Sequence, residues 1–264
     1  MADISQELLS AIRKTFETEL KKDKRFRALL KRARDGTSSY VHANSYARLI
    51  GRILSAAIKA NVSADVLPQG QLYLDIAQNV ITPMLKEGHG LTAEYIKMVQ
   101  DQINKNAEIG LASQIPEFNQ DRAAGFVKKA SVAESYDDVK WLFEDDAYLQ
   151  NFFEAEVDEA IQQNADVQWR AGSSPKIIRT YHEEAKYCPW CAELAGTYDY
   201  PCDRIVYAKH RDCHCTVDYQ VGKFRQDTHT KKIVYRGDIE KLSNSTGLSE
   251  KEQQLLARMR LGRR

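Results

Sequence analysis

The sequence predicts an α+β protein, mainly α-helical over its N-terminal part and closed by a small α+β unit. Apolar residues recur at helical spacing through the first 165 positions. Around Asp166 the texture changes to short β-branched segments set between Gly, Pro and Ser. All five cysteines fall between Cys188 and Cys215, a confinement that asks for one local explanation. The expected organisation is an all-α domain over 1–165, a Cys/His metal-binding domain over 166–235 and a basic, partly helical tail over 236–264.

In the helical part, Ile4, Leu8, Ile12 and Phe16 lie on one stripe, continued by Leu20 and then Phe26, Leu29 and Leu30 as a first helix stopped at Gly36. Thr37 to Ser39 supply a cap for the next, whose stripe runs through Ala43, Tyr46, Leu49, Ile50, Ile53, Leu54, Ala57 and Ile58. Further helices are expected over 70–86, with Pro83 kinking or breaking it, over 92–109 with Thr92 as N-cap, and over 119–131 and 145–164. Gly88-His-Gly90 reads as a helix-breaking loop. Isolated His42, His89 and His229 read as surface or capping histidines.

Beyond Asp166, Ala171 to Pro175 is a turn or linker, and Lys176 to Tyr181 is a short strand. Ala192 to Gly196 predicts one helical turn closed by glycine, Thr197 to Pro201 an extended or turn segment, and Thr216 to Tyr219 a closing strand. A unit this small commonly needs a metal to supplement its core.

At 264 residues the chain is long enough for one large or two ordinary domains. Its composition is that of a soluble globular protein, and no apolar run approaches the roughly 18 residues that cross a bilayer. The start, Met1 to Ile4, lacks the basic-then-apolar pattern of a signal peptide. Residence in a reducing cytoplasm is therefore expected, where clustered cysteines hold metal or do redox work rather than form disulfides.

A net charge of +1 conceals strong polarity. From Lys21 to Arg34 the cations Lys21, Lys22, Lys24, Arg25, Arg27, Lys31, Arg32 and Arg34 face Asp23 alone. Between Glu134 and Asp166 carboxylates dominate, opposed only by Lys140, and the chain ends on Arg258, Arg260, Arg263 and Arg264. Such blocks are read first as solvated helix faces and second as contacts with nucleic acid or an acidic partner.

Cys188-Pro-Trp-Cys191 supplies half of a tetrahedral zinc site, and His210-Arg-Asp-Cys213-His-Cys215 can supply the other half. The preferred set is Cys188, Cys191, His210 and Cys213, with Cys215 the substitute for His210 or Cys213. Zinc in a structural role is the expected cofactor. His214 would point away from its two cysteine neighbours. Trp190, Tyr198, Tyr200 and Tyr207 are expected to pack around this knuckle, and Cys202 to be a core or surface thiol.

Three rivals stand beside the structural site. A thioredoxin-like pair would use a helix N-terminus to acidify its first thiol, but the βαβ context is missing and the second cluster goes unexplained. His182-Glu-Glu184 before the Cys pair lies too close to it to build the two helix starts of a nucleoside deaminase. A zinc-dependent nuclease or effector enzyme would use His210 or His214 to activate water, yet no paired carboxylates accompany them. No phosphate-binding glycine loop, G-x-S-x-G elbow or H-E-x-x-H is present, so a non-enzymatic protein is expected.

The ordered string Ile177-Ile-Arg-Thr180, Cys188-x-x-Cys191, Leu194-Ala-Gly-Thr-Tyr198, Val206-Tyr207 and His210-x-x-Cys213-x-Cys215-Thr-Val217 resembles the C-terminal domain of phage minor head proteins related to protein F of phage Mu. With Gly222-Lys-Phe-Arg-Gln226, it is similar to the minor capsid proteins of siphophages and prophages of Gram-positive bacteria. The resemblance covers about 165 to 235; Cys213-His-Cys215 departs from the commoner Cys-Arg-Cys. It implies a low-copy head-morphogenesis protein, inside the virion near the portal and in the host cytoplasm during assembly. Portal and capsid or scaffold proteins are the implied partners. DNA contact through Lys21, Lys22, Lys24, Arg25, Arg27 or the arginine tail is a secondary expectation.

Overall fold

Helix α1 (Ile4–Lys22) buries Leu8, Leu9, Ile12, Phe16 and Leu20 along the expected stripe. The computed structural model describes residues 4–181, 188–210, 213 and 215–221. The stripe was expected to continue in one helix to Gly36, but the chain breaks at Asp23. Its Oδ1 accepts from the backbone N–H groups of Arg25 and Phe26 at 2.7 and 3.1 Å, capping a separate helix α2 (Lys24–Arg34). An aspartate that satisfies two orphan N–H groups makes a new start cheaper than continuation. Gly36, at φ 68°, ends α2 where the sequence predicts the stop.

Helix α3 (Tyr40–Asn61) follows a cap in which Ser39 N–H donates to His42 Nδ1 at 3.1 Å, so His42 is a capping histidine as expected. It buries Ala43, Tyr46, Ile50, Leu54, Ala57 and Ile58 and packs on α1 and on two longer helices, α4 (Leu74–Asn106) and α7 (Ala147–Arg170). Gly51 is where α3 and α7 meet closely: a Cβ there would lie 2.4 Å from Gln150 N.

The two helices expected over 70–86 and 92–109 are one. α4 runs unbroken through Pro83 and through Gly88-His89-Gly90, and Thr92 is no N-cap: its Oγ1 donates to the Gly88 carbonyl at 2.9 Å inside the helix. Burial of Ile81, Met84 and Leu85 holds the helix together around the proline. Gly88 is there because Phe153 Cζ of α7 would stand 2.4 Å from a Cβ. His89 is not a surface histidine; its Nδ1 lies 3.2 Å from Glu156 Oε2.

Helix α5 (Gln120–Ala130) matches its prediction, with Asn119 Oδ1 capping Arg122 N–H. The helix expected over 145–164 is preceded by a short α6 (Trp141–Glu144), and α7 extends to Arg170. Position 165 thus falls inside α7.

The rest of the described chain carries β1 (Lys176–Thr180), a one-turn α8 (Pro189–Glu193), β2 (Gly196–Asp199) and β3 (Thr216–Gln220). The expected turn at Ala192 to Gly196 therefore sits earlier, starting at Pro189, and Gly196 opens a strand. The antiparallel sheet has the order β2-β1-β3, with Ile177 opposite both Tyr198 and Tyr219, and Arg179 opposite Val217. Alternation sends Ile177, Val217 and Tyr219 into the same apolar core as α1, α3, α4 and α7.

A polar seam crosses that core. Tyr40 and Tyr219 hydroxyls both donate to Gln100 Oε1, at 2.7 and 2.8 Å, and Gln168 Nε2 donates to the Tyr219 hydroxyl at 3.1 Å. Asn164 Nδ2 donates to the Gln114 carbonyl at 2.7 Å. Buried polar groups are tolerated when paired in this way, each bond contributing about 1 kcal/mol. Three helices and β3 are thereby fixed relative to one another. Among the described residues no helix is long and apolar enough to cross a membrane.

Candidate metal centre

Cys188 precedes Pro189, whose fixed φ suits the first position of α8, and the helical turn then brings Cys191 round beside it. On the other side of the centre, the Cys213 N–H donates to the His210 carbonyl at 3.2 Å, a turn that puts this second pair at the same sequence offset as the first. The two turns converge on Cys191. Its Sγ lies 3.1 Å from His210 Nε2 and 3.7 Å from Cys213 Sγ.

Two overlapping groups, Cys188 with Cys191 and His210, and Cys191 with Cys213 and Cys215, have their donor atoms within 4.8 Å of one another and could hold a metal ion. All five sequence-predicted ligands are thus brought together, with Cys191 common to both groups. The fit can be tested on the donors. With metal–sulfur bonds of about 2.3 Å, a tetrahedral zinc site has a sulfur–sulfur edge of about 3.8 Å, close to the 3.7 Å between Cys191 and Cys213. Thiolates and an imidazole are soft or borderline donors that hard cations such as calcium do not take.

Burial pushes the Cys191 thiol well above its ordinary range, and the neighbouring thiols of Cys215, Cys188 and Cys213 add to the effect. Cys215 is also raised, first by burial and then by Cys213. The metal-free cluster therefore keeps protons that binding would release.

Arg179 comes from the buried phase of β1 and is 1% exposed. Its Nη1 donates to the carbonyls of Val206 and Ala208, each at 2.7 Å, and its Nη2 lies 3.9 Å from Cys191 Sγ. Trp190 packs over the outside, with Arg179 5.6 Å from its ring centre and the His210 ring at 6.1 Å. Trp190 therefore covers the knuckle as expected, whereas Tyr207 joins the helix-facing core. Cys202 is half-buried, its Sγ 3.9 Å from the Tyr207 hydroxyl and outside the cluster.

The centre is fastened to the helices. Lys209 Nζ lies 2.8 Å from Asp158 Oδ2 of α7, and Arg48 of α3 donates to the Cys213 carbonyl at 3.1 Å. Asn44 Nδ2 donates to the Val217 carbonyl at 3.2 Å. Burial by itself would lower the Lys209 pKa, but Asp158 and Glu154 more than reverse this, so the ammonium stays charged. Burial pushes Glu154 up to about 7 against the pull of Lys209 and Arg48.

No protein-family model matches this chain, and neither a curated protein nor a solved structure is similar to it.

Of the basic residues singled out, Lys21 and Lys22 are paired within α1 with Glu17 and Glu19, at 3.4 and 3.1 Å. Lys24, Arg25 and Arg27 lie on α2, and all three are exposed. Arg258, Arg260, Arg263 and Arg264, with His214, His229 and the 222–226 segment, lie outside the described residues. The acidic block is not a wholly solvated face: Glu154, Glu156 and Asp158 are buried on α7. Sequence reasoning missed Arg179, Lys209, Arg48, Glu154 and Asp158 as parts of the site. A usable signal existed for Arg179, an arginine two residues after Ile177 and hence in the apolar phase of a strand.

Proposed function

We propose that this chain is a structural, non-enzymatic protein of a tailed-phage head, in which zinc holds the C-terminal unit onto a helical body. The observation that carries the reading is the convergence of the ordered Cys/His string on Cys191, beside the fastening of that knuckle to α3 and α7. Zinc fits the donor set, and Cys188, Cys191, His210 and Cys213 are the ligands we assign, since each pair sits on its own turn. Three thiolates and one imidazole around zinc carry a net negative charge, which the Arg179 guanidinium near Cys191 offsets. Such an ion contributes folding energy and does no chemistry.

The resemblance to Mu protein F-like minor head proteins supports the further reading of a low-copy component within the head near the portal. Portal and capsid proteins would be its partners, with DNA as a companion at ejection. Two measurements test this. Elemental analysis should find one zinc per chain, lost in Cys188→Ser together with protease protection after Asp166. Mass spectrometry of purified particles and procapsids from the encoding strain should find the protein at low copy; absence from both overturns the head reading. Metal-dependent DNA cleavage that disappears in His210→Ala while the fold survives would put a zinc nuclease in its place.

A further inference from the structure

A cleft of about 410 Å³, lined by no cysteine, opens between α2, α3 and the start of α7. Ser45, Arg48, Leu49 and Arg52 are spaced so as to share one face of α3, with Arg25 facing them from α2 and Gln150 from α7. Three guanidinium groups in one concavity repel one another, and an anion seated among them would relieve that repulsion.

The cations are only partly neutralised. Arg52 Nη2 donates to Asp23 Oδ2 at 3.0 Å, while Asp23 Oδ1 is taken by the start of α2. Arg48 gives Nη1 to the Cys213 carbonyl and lies 3.8 Å from buried Glu154, whose carboxyl is protonated in part near neutrality. Among the described residues the Arg25 guanidinium has no partner. The cleft therefore holds more positive than negative charge, with a hydroxyl from Ser45 and an amide from Gln150 as neutral donors. Guanidinium forks match the oxygens of phosphate two at a time, and a recessed site strengthens the pairing.

We propose that this cleft binds a phosphoryl anion, held by Arg25, Arg48 and Arg52. The phosphate could belong to a small phosphorylated molecule or to one phosphodiester of a nucleic-acid strand crossing α2. This is more specific than the basic run along α1 and α2, because Arg48 and Arg52 belong to neither helix and Lys21 and Lys22 are spent on local pairs. It is also independent of the head-protein reading, since the cleft would bind phosphate whatever the chain assembles with.

The test is calorimetric titration of pyrophosphate into the full zinc-loaded chain at low salt. Wild type should bind one pyrophosphate saturably, and Arg25→Gln with Arg52→Gln should weaken binding by at least about tenfold, the effect expected from losing charge-assisted hydrogen bonds. Lys24→Gln with Arg27→Gln removes the same charge from α2 outside the cleft and should leave binding within about twofold, as exposed charges do. Arg25→Gln alone keeps the Asp23–Arg52 pair and serves if the double variant loses its helical circular dichroism. A short single-stranded oligonucleotide that displaces pyrophosphate identifies a phosphodiester ligand; failure to displace identifies a small phosphorylated one. Absence of saturable pyrophosphate binding, or equal weakening in both double variants, overturns the proposal.

Discussion

Lys209, next to His210 in the chain, buries its ammonium 2.8 Å from Asp158 of α7 and 3.3 Å from the side-chain oxygen of Asn44 on α3. Both partners of the ion pair are under a tenth exposed, so solvent does little to screen it. Breaking a buried pair from one side strands the other charge. Lys209→Met should therefore cost about 3 kcal/mol or more in urea unfolding of the metal-loaded protein, and adding Asp158→Asn should recover part of that loss. A cost below about 1 kcal/mol would mean that the pair does not anchor the knuckle.

Glu154 gives a pH signature. Its folded pKa, near 7, lies above the ordinary 4.5, so between these values the folded chain binds more protons than the unfolded one. Its contribution is full below about pH 4.5 and is lost as the pH rises through about 7, a change of about 3 kcal/mol. Glu154→Gln removes this dependence. The variant should gain stability relative to wild type between pH 5 and 7, and parallel stability curves would contradict the assignment.

Cysteine substitutions should separate by position. Cys191 faces every other donor of the cluster, so Cys191→Ser should abolish metal retention. Cys202 faces only Tyr207 among these groups, and Cys202→Ser should retain a full complement of metal by elemental analysis.

Two glycines predict opposite outcomes. Gly51→Ala would drive a methyl against the α7 backbone at Gln150 N and should cost about 3 kcal/mol or more. Gly125, exposed on α5, has nothing within 4 Å of where a methyl would sit, so Gly125→Ala should stabilise by about 0.5–1 kcal/mol through helix propensity. Thermal melts of the two variants should shift in opposite directions.

The helical stripes and the Cys/His knuckle were legible in the sequence because both are local patterns: a period along one helix, or a ligand pair two residues apart. Helix boundaries were less so. Gly88-His89-Gly90 has the composition of a break, but the small residue serves close passage of Phe153, a contact set by α7 far along the chain. Asp23 was counted as one acid in a basic run, and its capping role depends on the backbone turning there. The charge count likewise hid that Glu154, Glu156 and Asp158 face inward, since a tally of signs carries no information about which side of a helix each residue occupies. Arg48 and Lys209 were invisible as a unit because what joins them is a shared tertiary neighbour, Glu154.

Strand β3 is held at both ends by chemically unrelated means. Cys215, one residue before it, belongs to the donor cluster around Cys191, and Tyr219 near its far end is gripped by Gln100 and Gln168. A slip of one residue would turn Val217 and Tyr219 to the opposite face and withdraw both attachments together. The strand thus acts as a ruler with a fixed mark at each end, and the register of the whole sheet is read from it. The two marks are independent, so loosening the cysteine end alone leaves the sheet tethered to the helices by the tyrosine.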